Sequence, residues 1–283
     1  MAVVETQHNG QVLIVRLNRP ERLNALNGEM RKMLAETWTE FRHSKSLEVA
    51  IFTGTGRGFC AGEDMKESLA AGKPGGVRPR VPDPFLDGTL EKPVIAAVNG
   101  FAMGGGFMLV ERTELRVAVP DAVFEVSEAK RWLLGGYNHG HIANLPFPIA
   151  TEMALGFRFS AERLYQVGFL NRLAPQAELI PTAMAMAEHL LALPPAARVN
   201  TIYMMRQMRP RPSDSHEALA ARLRDHGDKS DLMESRAAFS EKRKPNFKGW
   251  VHPEDRYRMP KLEKSTDRPD RMKRPPAAEE QGE

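Results

Sequence analysis

Two short segments concentrate the residues that chemistry needs. FCAGED (residues 59–64) and AMGGGF (102–107) each place glycine directly after an apolar run that reads as a buried strand, VAIFTG before the first and KPVIAAVNG before the second. Three consecutive glycines, Gly104 to Gly106, lose much backbone entropy on folding and pack nothing, so they are kept where the backbone approaches another group closely. The next residues, FMLVERTEL, read as a helix begun at those glycines. Such a start presents unpaired N–H groups and partial positive charge, so two such loops converging would hold one oxyanion, an enolate or a tetrahedral intermediate. Nucleotide motifs are excluded by spacing. GTGRGFCAG puts its glycines at 54, 56, 58 and 62 rather than in G-x-G-x-x-G, and no phosphate-loop Gly-Lys-Ser/Thr follows.

Other candidates lie downstream. Glu128, in EVSEAK, is a carboxylate available for proton transfer, although an isolated glutamate is more often part of a solvated face. WLLGGYNHGHIANLP brings together Tyr137, His139 and His141. Histidine near neutrality can act as acid or base, and as a structural hydrogen-bonding group it does neither. The two histidines share a face if the segment is extended, but no third ligand accompanies them, so no metal is expected. Cys60 is the single cysteine, which excludes an internal disulfide framework and reads as a small buried hydrophobe.

The elements that must position these groups follow from pattern. VVETQHNGQVLIVRL has two strand-like runs around Asn9-Gly10, the dipeptide suited to a tight hairpin. GEMRKMLAETWTEFRH spaces Met30, Met33, Leu34, Trp38 and Phe41 as one helix face. The strand VAIFTG follows it, so the order is β, β, α, β. Residues 72–88 are rich in Pro and Gly and are expected to be a mobile loop without an element. LRVAVP and AVFEVS read as strands. After residue 145 the pattern is helical: PFPIATEMALG, SAERLYQVG, PTAMAMAEHLLAL, PAARVNTIYMMRQM and DKSDLMESRAAFSEKR. The expected organisation is an α/β core over 1–194, a helical region over 195–250, and a charged, disordered tail over 251–283.

Composition limits the classes of function. With 283 residues and 42% hydrophobic content the chain can bury a large core, and no run of eighteen apolar residues or basic leader followed by an apolar stretch suggests a membrane span or signal peptide. A cytoplasmic location is the expectation. Much of the basic character lies in the last quarter, in EKRKPNFK and the tail beyond it, so the formal charge of +4 says little about the core. The chain lacks the interleaved aromatic and basic residues of single-strand readers, so nucleic acid is not the expected partner, and binding of RNA or another partner through the basic tail stands as the rival reading.

Taken in order, NRPERLNAL, FCAGEDMKE, KPVIAAVNGFAMGGGF, FEVSEAKR, GFRFSAERLYQVGFLNRLAP and AAFSEKRKPNFK resemble the crotonase superfamily, the enoyl-CoA hydratases and their relatives, over roughly residues 10 to 250. The resemblance implies an α/β spiral of repeated β-β-α units with a helical C-terminal trimerisation region, assembling as a homotrimer or as a hexamer of paired trimers. It implies a coenzyme A thioester as substrate and no separate cofactor. By position, it assigns the oxyanion donors to the backbone N–H groups of Glu63 and Gly105. It places Arg22, Leu23, Ala61, Asp64 and Met65 along the coenzyme A channel, and Phe239 and Lys242 near its nucleotide end.

Hydratases of this superfamily use two glutamates. The second corresponds to Glu128; the position of the first holds Met108, whose thioether neither takes a proton nor orients water as a carboxylate does. Met108 either packs the helix face or shapes the acyl pocket. Three activities are therefore expected in order: hydration or hydration with cleavage of an α,β-unsaturated or aromatic acyl-CoA through an enolate, double-bond isomerisation by Glu128 alone, and hydrolysis of a β-oxo substrate using His139 or His141. Tyr137 and the two histidines are expected to line the acyl pocket.

Overall fold

The computed structural model describes residues 2–72, 81–138 and 140–263. The chain opens with the hairpin read from Asn9-Gly10. Strands β1 (Val4–Asn9) and β2 (Val12–Leu17) pair antiparallel with Asn9 opposite Val12, and Gly10 takes φ +57°, the left-handed conformation that glycine adopts without steric penalty. Helix α1 (Gly28–His43) starts where the Asn27 side chain accepts a hydrogen bond from Met30 N–H. It buries Met30, Leu34, Ala35, Trp38 and Phe41.

The chain then alternates between two sheets. Strand β3 (Val49–Gly54) joins the first sheet and β4 (Gly58–Cys60) the second, before helix α2 (Met65–Ala70) and the short α3 (Pro84–Asp87). The pattern repeats with β5 (Val94–Val98), β6 (Phe101–Met103) and helix α4 (Gly105–Glu111), and again with β7 (Leu115–Ala118) and β8 (Val123–Glu125). Strands β3 and β5 are buried along their whole length, which is why they read as continuous apolar runs and not as alternating ones. Beyond β8 come α5 (His141–Asn144), α6 (Phe147–Ala154), β9 (Arg158–Ser160), α7 (Ala161–Gln166) and β10 (Arg172–Leu173). The six-stranded sheet has the order β1-β2-β3-β5-β7-β10, and the four-stranded sheet β4-β6-β8-β9.

This alternation determines where the chemistry goes. Strands β4, β6 and β8 are parallel neighbours in the small sheet, so their C-terminal ends lie along one edge. The segments leaving those ends are AGED, GGG and VSE. Glu63, Gly105 and Glu128, distant in sequence, are thus gathered by topology.

Helix α8 (Leu179–Leu191) packs on β3, β5 and β7 and closes the large sheet. Helices α9 (Pro195–Met208), α10 (Asp214–Leu223) and α11 (Ser230–Ser240) complete the chain, with α11 folded back against α2. Among the described residues no helix is long and apolar enough to cross a membrane.

Three expectations are corrected. The region after residue 145 is not purely helical, because RFS pairs antiparallel with β8 as β9, and Arg172–Leu173 extends the large sheet. Within the expected loop over 72–88, residues 73–80 lie outside the described residues. Residues 84–87 form α3, because the Asp83 side chain accepts from both Phe85 and Leu86 N–H and Phe85 stacks on Trp38 at 4.9 Å between ring centroids. The tail is not disordered from 251. A 3-10 turn spans Pro253–Tyr257, and the Asp255 carbonyl lies 2.7 Å from His226 Nε2 while Lys261 O accepts from Arg222 at 2.7 Å; residues 264–283 lie outside the described residues.

Candidate active site

A cleft of about 640 Å³ opens along the edge where β4, β6 and β8 end. Its walls come from four segments. Residues 21–25 form the first, 61–66 the second, 101–105 the third and 125–133 the fourth, with Arg158 and Phe239 at the rim.

The first two segments are locked together. Leu23 and Asn24 take φ +55° and +56°, turning the chain so that Ala61 N–H donates to Leu23 O, Leu26 N–H to Gly62 O and Asp64 N–H to Leu26 O. The fully buried Asn24 amide donates to the carbonyls of Thr55 and Gly58. Arg19 pairs with Asp64 at 3.2 Å. NRPERLNAL is therefore a latch on the loop that carries Glu63.

The glycines are where two backbones touch. A methyl group on Gly106 would stand 2.3 Å from the Cys60 carbonyl oxygen, and one on Gly62 would stand 2.6 Å from Met103 O and 3.2 Å from the Gly105 nitrogen. The loops carrying Glu63 and Gly105 are thus in direct contact, and a side chain at either glycine would separate them. Gly104 N–H donates to Glu125 O at 2.8 Å, which ties the second loop to β8. Cys60 is buried beneath both loops. Its Sγ donates to Asn24 O, and burial pushes the thiol up to about 12, so it is inert packing.

Four glutamates line this cleft, Glu21 in its first wall and Glu63, Glu125 and Glu128 deeper in the sequence, and their surroundings separate the last three. Burial pushes Glu125 up, but hydrogen bonds from Ser127, Arg158 and Lys130 outweigh it and hold the carboxylate below its ordinary range. The Glu63 side chain turns away from the loop to Ser68 Oγ and to Arg236, which is fully buried on α11 and stands 3.3 Å from Glu63 Oε2. Burial raises Glu128 to about 7; hydrogen bonds from its own and the Ser127 amide oppose the shift, and the charges of Glu63 and Glu125 add to it. Its Oε1 stands 3.7 Å from where a Gly104 methyl would be. One carboxyl in the cleft is therefore poised to exchange a proton near neutrality, beside the loop that carries Gly105.

Of the residues singled out in the sequence, Arg22, Leu23, Ala61, Glu63, Asp64, Met65, Gly105, Glu128 and Phe239 line the cleft together. Met108, Tyr137, His141 and Lys242 are not among its lining. Met108 is half-buried on α4 and packs against the core. Tyr137 is drawn to α10, where its hydroxyl donates to Glu217 at 2.6 Å and accepts from Arg224 at 3.1 Å. The sequence reading did not include that helix. His141 is fully buried with Nδ1 3.6 Å from Glu111 Oε1, and does not reach the cleft as expected. His139 lies outside the described residues. Lys242 sits just beyond α11. Among the described residues no group of three or more His, Cys, Asp or Glu could hold a metal ion.

Sequence reasoning missed Ser127, Arg131, Leu133 and Arg158. Arg158 carried no signal, because its role depends on β9 pairing with β8. Arg131 stacks over Phe239 at 4.5 Å, a pairing across two distant segments. Glu111 also went unremarked, although a charge inside FMLVER, one helical turn beyond Met108, is a readable anomaly.

One cleft thus holds the contacting loops of Glu63 and Gly105 and the Glu128 carboxyl raised toward neutrality. Comparison with known proteins gives the family. The chain belongs to the enoyl-CoA hydratase/isomerase family, whose model matches residues 7–250. It is 32% identical over 269 residues to the enoyl-CoA hydratase EchA19 of Mycobacterium tuberculosis, covering 87% of this chain and 99% of that one. It is 34% identical over 257 residues to the carnitinyl-CoA dehydratase of Escherichia coli O157:H7, covering 85% and 96%. A crystal structure of carnitinyl-CoA hydratase from Mycobacterium avium superposes with a TM-score of 0.74 at 27% identity, covering 88% of this chain and 99% of that one. The chain is thus a crotonase-fold member of the acyl-CoA hydratases and lyases.

Proposed function

We infer that this protein adds water to, or removes it from, an α,β-unsaturated acyl-CoA using Glu128 as its single proton-carrying group. The observation that carries the reading is the placement of Glu128, raised to about 7, beside the contacting loops of Glu63 and Gly105. In this mechanism the thioester oxygen accepts hydrogen bonds from the Glu63 and Gly105 amides. Water attacks the β-carbon as the Glu128 carboxylate takes its proton. The double-bond electrons move to the thioester oxygen as an enolate, which the two amides stabilise. Glu128 then returns the same proton to the α-carbon, so one water adds across the bond and the carboxylate is regenerated. Each oxyanion donor of this kind is worth about 2.7 to 4 kcal/mol of barrier.

The resemblance puts Met108 where hydratases carry another glutamate, and the half-buried thioether leaves Glu128 to do both proton transfers. The mouth of the cleft, with Arg22, Lys66 and Arg131 on its lining, suits the phosphates of coenzyme A. Four large apolar side chains on α9, Tyr203, Met204, Met205 and Met208, are more than half exposed, which supports self-association as a trimer or a pair of trimers.

The test is product mass. Incubation with crotonyl-CoA should give a product heavier by one water, abolished by Glu128→Gln. A single carboxylate also suits double-bond isomerisation, in which it carries a proton between the α- and γ-carbons. Conversion of a 3-enoyl-CoA without mass change, and no hydration, would establish that reading instead.

A further inference from the structure

Helix α11 brings one buried charge to the loop that carries Glu63. Arg236 on that helix is fully buried, and its Nη2 stands 3.3 Å from Glu63 Oε2. Its Nη1 donates at 2.8 Å to Leu232 O, one turn back, which fixes the guanidinium against its own helix. The other carboxylate oxygen of Glu63 accepts from Ser68 Oγ on α2. The Glu63 side chain is thus held from two helices, and those helices pack on each other. A guanidinium withdrawn from water is costly unless it is paired, and this one is paired with a residue of the proposed oxyanion loop.

The backbone around Glu63 is set by other neighbours. In the parallel bridge between Leu26 and Glu63, Leu26 N–H donates to Gly62 O at 2.7 Å and Asp64 N–H donates to Leu26 O at 3.2 Å. Successive N–H groups along an extended chain turn to opposite sides, so the N–H of Glu63 faces away from Leu26. A methyl group on Gly62 would stand 3.2 Å from the Gly105 nitrogen, so the two proposed donors belong to touching segments. Asp64 is fixed by Arg19 at 3.2 Å and caps α2 by accepting from Lys66 and Glu67 N–H. What Arg236 and Ser68 set is the direction of the Glu63 carboxylate.

That direction matters because of charge. Glu63 lines the cleft, and an enolate forming on a thioester oxygen at its N–H is negative. The N–H stabilises that charge, whereas a carboxylate on the same residue opposes it, more strongly as it comes closer and as water is excluded. The charge of Glu63 is already felt across the cleft, where it adds to the rise of Glu128.

We propose that Arg236 is a positioning residue for the reaction: with Ser68 it turns the Glu63 carboxylate aside and offsets its charge, so that the thioester oxygen meets the Glu63 N–H and not the carboxylate. A neutral side chain at position 63 would need no such partner, so Glu63 and Arg236 act as a unit. The proposal rests on the acyl-CoA reading above and adds the residue that makes an amide borne by a glutamate fit for an oxyanion.

The test is a double-mutant cycle on Glu63 and Arg236, read with bound cinnamoyl-CoA, whose conjugated thioester absorbs at longer wavelength as its oxygen is polarised. The wild type should move the band to longer wavelength. Arg236→Met should reduce that shift and lower kcat for an enoyl-CoA by about tenfold or more, with a much smaller change in KM. Adding Glu63→Ala to Arg236→Met should restore the shift and most of kcat, because the backbone N–H stays and the carboxylate is gone. Exchanging both partners for apolar groups also leaves no buried charge alone, so the double variant should fold. Arg236→Lys, which keeps the charge without the fork, should fall between wild type and Arg236→Met, and it completes the cycle where Arg236→Met does not fold by circular dichroism. No band shift in the wild type, a full shift in the folded Arg236 variants, or an equal loss in the single and double variants would overturn the proposal. Band shifts that follow the cycle without turnover of any enoyl-CoA would sink the hydratase reading and leave this one standing; turnover unaffected by Arg236→Met would do the reverse.

Discussion

Replacing Glu111 by glutamine should change the way stability depends on pH. Burial raises this carboxyl from its ordinary 4.5 to about 8, with Arg116, Arg209 and Arg112 pulling it down and the Glu128 charge adding to the rise. The folded chain therefore keeps a proton over a range in which the unfolded chain has released it. A raised acid stabilises fully below the unfolded value, and that stability is lost as pH climbs to the folded value. Each whole pH step between 4.5 and 8 removes about 1.4 kcal/mol, and the window as a whole about 5 kcal/mol. Glu128, raised to about 7, acts with the same sign and contributes a similar slope up to that pH. Between pH 4.5 and 7 the two carboxyls together lower stability as pH rises, His141 opposes them up to its ordinary value, and between 7 and 8 Glu111 acts alone. Glu111→Gln should make the first slope shallower by about 1.4 kcal/mol per pH step and flatten the second. His141, lowered by burial, titrates in both proteins and drops out of the difference. Urea denaturation at closely spaced pH values, followed by the fluorescence of the buried Trp38, measures both curves. Parallel curves for the two proteins would refute the assignment of Glu111 as a carboxyl kept neutral by burial.

The remaining predictions concern catalysis, the loop contact and assembly. On the proposed mechanism the Glu128 carboxylate is the active form, so kcat/KM should rise along a single limb centred near pH 7. Hydration and dehydration should show the same limb, since their equilibrium takes up no net proton; a bell-shaped profile would indicate a second catalytic group. Gly106→Ala forces a methyl onto the Cys60 carbonyl and should destabilise by about 1–3 kcal/mol while separating the two loops, read as a lower unfolding midpoint together with reduced turnover. Substituting Met204, Met205 and Met208 by glutamate should shift the protein toward monomer in light scattering, because these side chains form the exposed apolar face of α9. An unchanged mass would exclude α9 as the interface.

What the sequence revealed depended on how local each feature was. The hairpin at Asn9-Gly10, the buried strands VAIFTG and VIAAV and the amphipathic α1 rest on near-neighbour chemistry, and all are found where the pattern placed them. Strand β9 was read as part of a helical region because RFS is too short to have a period, and only its partner β8 makes it a strand. Helix α3 was hidden in a Pro and Gly-rich stretch, although DPFLDG contains a cap for it. Tyr137 was assigned to the pocket because the helix that claims its hydroxyl, α10, went unread.

The carboxylates show the same limit in electrostatic form. Glu63, Glu111, Glu125 and Glu128 are all within or near one cleft, and sequence spacing can identify Glu128 by resemblance but cannot rank the four physically. Their roles are set by partners that arrive from elsewhere in the chain. Arg158 reaches Glu125 only because β9 pairs with β8, and Arg236 reaches Glu63 only because α11 folds back on α2. Those two carboxylates are held by cations on distant elements. Neither carboxyl oxygen of Glu111 has a hydrogen-bond partner among the described residues, and burial lifts Glu111 and Glu128 alike toward neutrality. Solvent access, not spacing, then separates the two: Glu128 lines the cleft beside the loop that carries Gly105, and Glu111 is fully buried at the end of α4 and closed to any ligand.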